Sequence, residues 1–251
     1  MKRISGIVSY DGTDFSGYQI QPDQRTVQGT IEQVLQRMHK GEFVRTTASG
    51  RTDAGVHGVG QVFHFDTTLH IEPSAWKRAL NTLLPADIRI QSITEEDPDF
   101  HARYDVSAKE YHYRILRKSD EDVFKRNYTY HFPYKLDVLS MRSAAELLIG
   151  EHDFTSFCSA KTEVMERVRI ITKLEIEEAG DELVISIEGN GFLYNMVRII
   201  VGTLLEVGTG QREASDIHSI LEKKDRDAAG KTAPAHGLYL WKVNYIKNID
   251  E

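Results

Sequence analysis

The stretch GVGQVFHFD, residues 58–66, decides how the first part of the chain folds. Side chains in a strand alternate between its two faces, and this stretch divides cleanly in that way. One face carries Phe63 and Phe65, and the other carries Val62, His64 and Asp66. The sequence therefore predicts a strand that follows a glycine-rich loop.

Two helices are predicted around this strand. Before it, apolar residues recur at helical spacing from Val27 onward, and Thr26 is a suitable N-terminal cap. After it, a second helical face lies between Pro73 and Pro85, which mark its start and its end. The apolar positions are Val27, Ile31, Val34, Leu35 and Met38 in one helix and Trp76, Ala79, Leu80 and Leu83 in the other. With strands at RISGIVSYDG, FVRTTAS and IRIQSI, the predicted order is β-α-β-β-α-β.

The second half of the chain repeats this order. KEYHYRILR predicts a strand, and LDVLSMRSAAELLIG predicts a helix that Asp137 caps and Gly150 stops. ITKLEIEEAGDELVISIEG predicts a hairpin that turns at AGD. Two helices follow, at FLYNMVRIIVGTLLEVG and ASDIHSILEKK, and GLYLWKVNY predicts the last strand. The charged segment RKSDEDVFKRN is interpreted as a solvated insertion.

These patterns predict an α+β fold made of two tandem ferredoxin-like βαββαβ units. We expect a pseudo-twofold relation between the units, with their sheets joined around a central cleft. The predicted boundary lies in FHARYDV, so that residues 1–104 form the first unit and residues 105–251 the second.

Composition limits the kind of protein that this can be. The 251 residues carry 31 Lys and Arg against 38 Asp and Glu, and the formal net charge of −7 counts mildly against a nucleic-acid partner. Cys158 is the only cysteine, which excludes an intrachain disulfide and a cysteine-rich metal site. No apolar run is long enough to cross a membrane, and the first residues do not resemble a signal peptide. We therefore expect a cytoplasmic protein.

The stretch TASGRTDAGVHGVGQ, residues 47–61, holds the first candidate catalytic residue. Its glycines allow sharp turns and a close approach by another molecule. Arg51, Asp53 and His57 lie among them, which is unusual for a loop that only connects two strands. Asp53 has two interpretations, as a turn aspartate that bonds to its own backbone or as a functional carboxylate.

Arg198 is the second candidate, because its helix is apolar on nearly every side. A guanidinium in such a helix must reach solvent or pair with an anion. The anion could be an unrelated carboxylate, a bound phosphate or Asp53. In the last case Arg198 would keep the aspartate ionised and oriented, as a carboxylate nucleophile requires.

Tyr111 is the third candidate. It lies in SAKEYHYRI, where aromatic and basic residues alternate. Aromatic residues in a strand are usually core residues, but in such company they also suit stacking on an unpaired base.

Other catalytic motifs are missing from the sequence. It contains no dinucleotide-binding G-x-G-x-x-G, no Walker A motif and no G-x-S-x-G elbow. A metal-dependent hydrolase that uses Asp53, His57 and His64 is a weak alternative, because their spacing fits no standard metal site.

Taken together, the motifs resemble those of the tRNA pseudouridine synthase A family. The motifs are SGRTDAGVHG, FHARYDVSAKEYHYRI, GNGFLYNMVRIIVG and TAPAHGLYLWKVNY, in this order. The resemblance extends from VSYDGTDFSGYQIQP to the last strand and so covers nearly the whole chain. One departure is Gly58, where the family usually has alanine.

The resemblance implies an enzyme that isomerises uridine to pseudouridine on the 3′ side of the tRNA anticodon stem–loop, at tRNA positions 38, 39 or 40. It also implies a homodimer in which one tRNA contacts both subunits. Neither a metal nor an organic cofactor is expected.

The resemblance further assigns roles to residues of this chain. Asp53 matches the catalytic aspartate, Tyr111 the tyrosine that stacks on the target uracil, and Arg198 the arginine paired with the carboxylate. Arg51 matches an arginine that holds the flipped-out state, and Leu238 an apolar residue beside the active site. An RNA-contacting stretch is matched by Phe100, His101, Ala102, Arg103 and Tyr104.

Two points stay open at this level. Asp53 would either attack the ribose or remove a proton from it as the glycosidic bond breaks. The alternative function is a tandem ferredoxin-like RNA-binding module without catalytic activity, which would not require Asp53 and Arg198 as a pair.

Overall fold

The computed structural model describes residues 1–160 and 164–245. These residues form a mixed α+β structure with ten strands and five α-helices. The strands are β1 (Lys2–Tyr10), β2 (Thr47–Ala48), β3 (His57–Thr67), β4 (Ile88–Glu96), β5 (Val106–Leu116), β6 (Tyr130–His131), β7 (Gly150–Asp153), β8 (Val168–Ala179), β9 (Glu182–Gly189) and β10 (Leu238–Tyr245). The helices are α1 (Val27–Met38), α2 (Pro73–Leu83), α3 (Val138–Glu146), α4 (Met196–Gly208) and α5 (Asp216–Lys223).

The chain divides into two compact units at a boundary close to the predicted one. The first unit contains Met1–Ser107 and the described residues from Tyr239 onward, and the second contains Ala108–Leu238. The sequence-based division at residue 104 assigned the last strand to the second unit instead. The difference arises because β10 pairs in parallel with β3, through Tyr239 opposite His57 and the next residue pair. A pairing between strands so far apart in the sequence leaves no local pattern.

In the first unit, β1 lies between β3 and β4 and is antiparallel to both. The short β2 pairs with β3. Helices α1 and α2 supply the other half of the core, in which Phe63 and Phe65 pack with Trp76. The opposite face of β3 carries Val62 and His64, as the alternation predicted.

The helix ends of the first unit follow from local chemistry. The hydroxyl oxygen of Thr26 accepts a hydrogen bond from the N–H of Gly29, which satisfies one of the free donors at the start of α1. Pro73 occupies the first position of α2, where a missing N–H costs nothing. Both predicted helices are confirmed, whereas the strand predicted at FVRTTAS is reduced to Thr47–Ala48.

In the second unit, the strand order is β5-β9-β8-β7, with β6 added to β5 in parallel. The predicted hairpin is formed by β8 and β9, and Gly180 adopts a φ of 61° in its turn. The carboxylate of Asp137 caps α3 by accepting hydrogen bonds from the N–H groups of Leu139 and Ser140. Helix α4 is buried along nearly its whole length.

Helix α4 begins four residues later than its apolar pattern predicted. Asn195 lies in the left-handed region at a φ of 62°, which a continuous right-handed helix does not allow. Phe192 and Leu193 therefore lie in the segment that leads into the helix.

Among the described residues, no helix combines the length and the apolar character that a membrane span requires. The order of β1 to β4 and their helices in the first unit follows the predicted β-α-β-β-α-β pattern. The pseudo-twofold relation between the units stays a prediction.

Candidate active site

Asp53 lies on a tight turn in the first unit. Its carbonyl oxygen accepts a hydrogen bond from the N–H of Val56 at 3.1 Å. Gly55, the third residue of the turn, has a φ of 77°, a conformation that favours glycine. Asp53 is half-buried, and Arg51, two residues before it, is exposed. The turn thus fixes the backbone at the position from which the carboxylate projects.

The loop that follows β1, residues 11–18, holds this turn through backbone contacts. Tyr18 donates its N–H to the carbonyl oxygen of Thr52 at 3.1 Å, and the hydroxyl groups of Thr52 and Tyr10 are 2.8 Å apart. A Cβ atom on Gly12 would lie 2.0 Å from the carbonyl oxygen of Val56, which is a severe overlap. The two backbones are therefore in direct contact.

The sequence alone does not reveal this supporting role. A second glycine in the same loop is also restricted. Gly17 has a φ of 89°, and a Cβ atom on it would lie 2.7 Å from the carbonyl oxygen of Thr52. The glycines of YDGTDFSGY were the available signal, but only a folded structure shows what they approach.

His57 has a structural contact in the first unit. Its Nδ1 accepts a hydrogen bond from the N–H of Gly12 at 3.0 Å, and its ring stacks on Tyr239 with centroids 4.7 Å apart. The described residues contain no group of three or more His, Cys, Asp or Glu side chains suited to hold a metal ion. The geometry therefore gives the hydrolase alternative no support.

Tyr111 lies in β5 of the second unit and is 8% exposed. It is opposite Ile187 in β9, and its ring meets the ring of Phe192 edge to face, with centroids 5.2 Å apart. Two residues further along the same face, Tyr113 donates its hydroxyl to the carbonyl oxygen of Pro234 at 2.8 Å. Burial raises the pKa of Tyr113, and the charge of Arg198 acts against this shift.

Arg198 lies in the first turn of α4 and is half-buried. Glu206, near the other end of the same helix, is also half-buried. The Nε of Arg198 donates to the carbonyl oxygen of Ala233 at 2.7 Å, and its Nη1 donates to Oδ1 of Asn195 at 2.9 Å. The N–H of Ala233 returns a bond to the carbonyl oxygen of Arg198 at 3.0 Å. These contacts orient the guanidinium within the second unit.

Leu238 is buried at the start of β10, directly after the turn Ala235–Gly237. A Cβ atom on Gly237 would lie 2.8 Å from the ring of Tyr113, so the chain passes close to that tyrosine. Leu238 therefore directly follows a residue whose path is tightly restricted.

The predicted RNA-contacting stretch, Phe100–Tyr104, lies in the first unit. Ala102 is fully buried, whereas Arg103 and Tyr104 are exposed. A cavity of about 640 Å³ on the same unit is lined by Phe100 and Tyr104 and by neither Arg51 nor Asp53.

The structure therefore brings Arg51 and Asp53 together on one loop of the first unit. Tyr111, Arg198 and Leu238 belong to the second unit. The pairing of Asp53 with Arg198 stays a prediction.

Comparison with known proteins identifies the family. The model of a family described as tRNA pseudouridine synthase matches residues 7–105 and 144–246. Two of the similar proteins are named tRNA pseudouridine synthase A. One, from Geobacillus sp. strain WCH70, is 60% identical over 97% of this chain and 98% of its own length. The other, from Halalkalibacterium halodurans, is 57% identical over 97% and 93%.

A protein of Bacillus cereus strain ATCC 14579 named tRNA pseudouridine synthase A 1 is also 57% identical, over 98% of this chain and 99% of its own length. A solved structure entitled "Crystal Structure of a Cbf5-Nop10-Gar1 Complex" shares only 15% identity, with a TM-score of 0.32 over 81% of this chain and 54% of that chain, and is too distant to bear on the fold. From the family match and the three relatives it follows that this chain belongs to the tRNA pseudouridine synthase family.

Proposed function

We propose that this protein converts uridine to pseudouridine in tRNA, on the 3′ side of the anticodon stem–loop. The observation that carries the proposal is the fixed turn of Asp53, which the glycine-containing loop 11–18 holds by backbone contacts. A rigid backbone under a half-buried carboxylate suits a catalytic group that must meet one atom of a bound nucleotide.

The reaction rearranges the bonds of one nucleotide. The bond between N1 of uracil and C1′ of ribose breaks, the uracil turns, and a new bond joins C5 to C1′. C5 loses a proton and N1 gains one, so that the product has the same atoms as the substrate. The nucleotide must first leave the helical stack, at a cost of a few kcal/mol.

Asp53 acts on the ribose as the glycosidic bond breaks. Attack on the ribose and removal of a ribose proton both require an ionised carboxylate. Arg198 pairs with this carboxylate in our proposal and keeps it charged. The contacts of Arg198 with Ala233 and Asn195 support this role, because they hold the guanidinium in one orientation.

The remaining residues hold the substrate. Tyr111 stacks on the uracil, so that the base turns without escaping from the site. Arg51 is exposed on the same loop as Asp53. In our proposal it contacts a phosphate of the RNA once a nucleotide has left the stack. Leu238 provides an apolar wall. The stretch 100–104 contacts RNA further along the same unit.

The proposal includes the wider organisation of the enzyme. The two units are ferredoxin-like, related by a pseudo-twofold and joined around a cleft. The protein acts in the cytoplasm as a homodimer whose two subunits share one tRNA, and it uses neither a metal nor an organic cofactor. Activity that disappears on dialysis against EDTA, or sedimentation as a monomer at micromolar concentration, would contradict these two points.

Replacing Asp53 with asparagine tests the central claim. We expect Asp53→Asn to lower the rate of pseudouridine formation by about 10³-fold or more, because the amide cannot act as a base or nucleophile. Binding of an unmodified tRNA transcript should stay within about twofold of the wild type. Pseudouridine is measured in the transcript under single-turnover conditions.

Asp23→Asn is the matched control. Asp23 is exposed in the same unit and has a φ of 56°, which asparagine also tolerates. If Asp53→Asn forms pseudouridine as fast as Asp23→Asn, the site assignment is wrong. If the wild-type protein binds the transcript and forms no pseudouridine, the non-catalytic RNA-binding module is the better description.

A further inference from the structure

Tyr104 exposes an aromatic ring on an ordered support. Its side chain is 74% exposed, although it lies in a short segment between β4 and β5. The ring stacks on His101, with centroids 4.2 Å apart and planes inclined by 26°. The guanidinium of Arg103 lies 5.8 Å from the ring centroid. Histidine thus backs the tyrosine ring, and a cation lies beside it.

The stack is built on a closed turn. Nδ1 of His101 accepts hydrogen bonds from the N–H groups of Arg103 and Tyr104, at 3.1 and 3.2 Å. The N–H of His101 donates to the carboxylate of Asp105 at 2.7 Å. In return, the N–H of Asp105 donates to the carbonyl oxygen of His101 at 3.2 Å. These bonds fix the histidine ring against which Tyr104 rests.

Three residues of the sheet anchor this turn. The N–H of Ala102 donates to Nδ1 of His64 at 3.1 Å, and its carbonyl oxygen accepts from the hydroxyl of Tyr245 at 2.7 Å. Arg3 donates from Nη1 to the carbonyl oxygen of Phe100 at 2.9 Å. Since β1, β3 and β10 each supply one of these contacts, the turn is held rigidly on the sheet.

Charge decides which part of an RNA could approach the ring. The cavity that Tyr104 borders is also lined by four carboxylate residues, Glu96, Asp97, Asp99 and Asp105. Carboxylates repel phosphate, so this side of the ring is unsuited to the RNA backbone. A nucleobase is uncharged, and aromatic rings beside an arginine are the usual surface on which bases stack.

We propose that Tyr104 is a stacking platform for an unpaired nucleobase of the tRNA substrate, and that His64 and Tyr245 are positioning residues for it. The proposal rests on the function proposed above and adds a second aromatic contact to that of Tyr111. Because the platform is ordered before RNA arrives, little conformational entropy is lost on binding.

A series of variants at Tyr104 tests the stacking. The experiment measures the Kd of an unmodified tRNA transcript and the single-turnover rate at saturating RNA. We expect Tyr104→Ala and Tyr104→Leu to weaken binding about tenfold, the usual range for one lost base stack. Tyr104→Phe keeps the ring and should bind within about twofold of the wild type. The loss is expected in Kd, because the ring contacts a base other than the target.

Tyr134→Ala is the matched control, because Tyr134 is 66% exposed and lies in the second unit. It should bind RNA like the wild type. Wild-type binding by Tyr104→Leu would overturn the proposal, since an apolar side chain would then suffice. Binding by Tyr104→Phe as weak as that by Tyr104→Ala would also overturn it, because the hydroxyl would be the contact.

The positioning role has its own test. In His64→Asn the amide oxygen can replace Nδ1 as acceptor, whereas His64→Leu removes the acceptor. We expect His64→Leu to weaken RNA binding severalfold, whereas His64→Asn should bind RNA like the wild type. In a Tyr104→Ala background, His64→Leu should have little further effect on binding. Fully additive losses would overturn the positioning role.

These outcomes are separate from the fate of the proposed function. If the wild type forms pseudouridine and the Tyr104 series shows no change, only the platform is rejected. If the Tyr104 series behaves as expected and the wild type forms no pseudouridine, the platform stands and the isomerase activity is rejected.

Discussion

At the scale of single residues, the two histidines that the sequence offered as metal ligands with Asp53 accept hydrogen bonds from backbone N–H groups. His57 accepts a hydrogen bond from the N–H of Gly12, and His64 accepts one from the N–H of Ala102. An imidazole nitrogen accepts such a hydrogen bond through its lone pair, so both rings act here as acceptors for a backbone N–H. Spacing in the sequence could not distinguish this use from metal binding, because the acceptor role depends on which N–H lies opposite.

His64 leads to a prediction about pH. Burial lowers the pKa of His64 from 6.5 to about 4, and the charges of Arg3 and His101 act in the same direction. Asp66 and Asp105 oppose the shift. The unfolded chain therefore binds a proton between these two pH values, while the folded protein does not. The stabilising contribution of the neutral ring is complete above pH 6.5 and is lost as the pH falls towards 4.

We expect His64→Asn to remove this dependence. The variant has no group that titrates at this position. Between pH 7 and pH 4, its free energy of unfolding should therefore fall by about 1–2 kcal/mol less than the free energy of unfolding of the wild type does. Urea denaturation at several pH values measures the difference. Parallel curves for the two proteins would show that His64 has an ordinary pKa.

At the scale of elements, the sequence predicted those with a clear period. Helices α1 and α2 and strand β3 follow from spacing, caps and alternation alone. Strands β6 and β7 were missed, because two to four residues are too few to show a period. The support of Asp53 by residues 11–18 was missed for another reason: contacts between distant backbones depend on the folded path.

Glu182, at the start of β9, joins the loop after β5 to the sheet. Its carboxylate is 7% exposed and contacts Arg114 at 2.8 Å and Lys125 at 2.6 Å. Burial alone would raise the pKa of Glu182, but the hydrogen bonds from Lys125 and Arg114 outweigh it, and the net pKa is lowered. The stabilising effect is therefore present above the ordinary pKa of a glutamate and is lost as the pH falls below it.

We expect Glu182→Gln to destabilise the protein by about 2 kcal/mol at pH 7, because two cations lose their shared partner. It should also speed cleavage by trypsin in the loop that contains Lys125. Glu178→Gln is the control: Glu178 pairs with Arg117 at 2.8 Å but is 49% exposed, so its loss should cost about 0.5 kcal/mol or less. Urea denaturation compares the two variants, and equal losses would contradict a special role for Glu182.

At the scale of the whole molecule, composition was a poor guide to the substrate. The net charge of −7 argued mildly against RNA, yet the chain belongs to a tRNA-modifying family. Net charge is a sum over the entire surface, whereas phosphate groups meet only local charges. The four ordered motifs carried the family resemblance, because each contains chemically specific residues and three of them also contain glycine.

The salt dependence of RNA binding tests whether local cations decide affinity in this acidic protein. Arg51 is exposed beside Asp53, where the proposed function gives it a phosphate contact. Removing one phosphate contact should lower the slope of log Kd against log salt concentration by about one, because one fewer counterion is released on binding. We therefore expect Arg51→Ala to bind tRNA more weakly than the wild type and with a shallower slope.

Lys2→Ala is the control for this measurement. Lys2 lies in the same unit, where its side chain is 41% exposed and pairs with Glu95 at 2.7 Å. Its removal lowers the net charge of the protein by the same amount as removal of Arg51. If global charge governed binding, the two variants would change the slope alike. If Arg51 contacts phosphate, only Arg51→Ala changes it. If the slope is unchanged in Arg51→Ala and pseudouridine forms at the normal rate, Arg51 does not contact the RNA. The proposed roles of Asp53 and Tyr111 do not depend on that result.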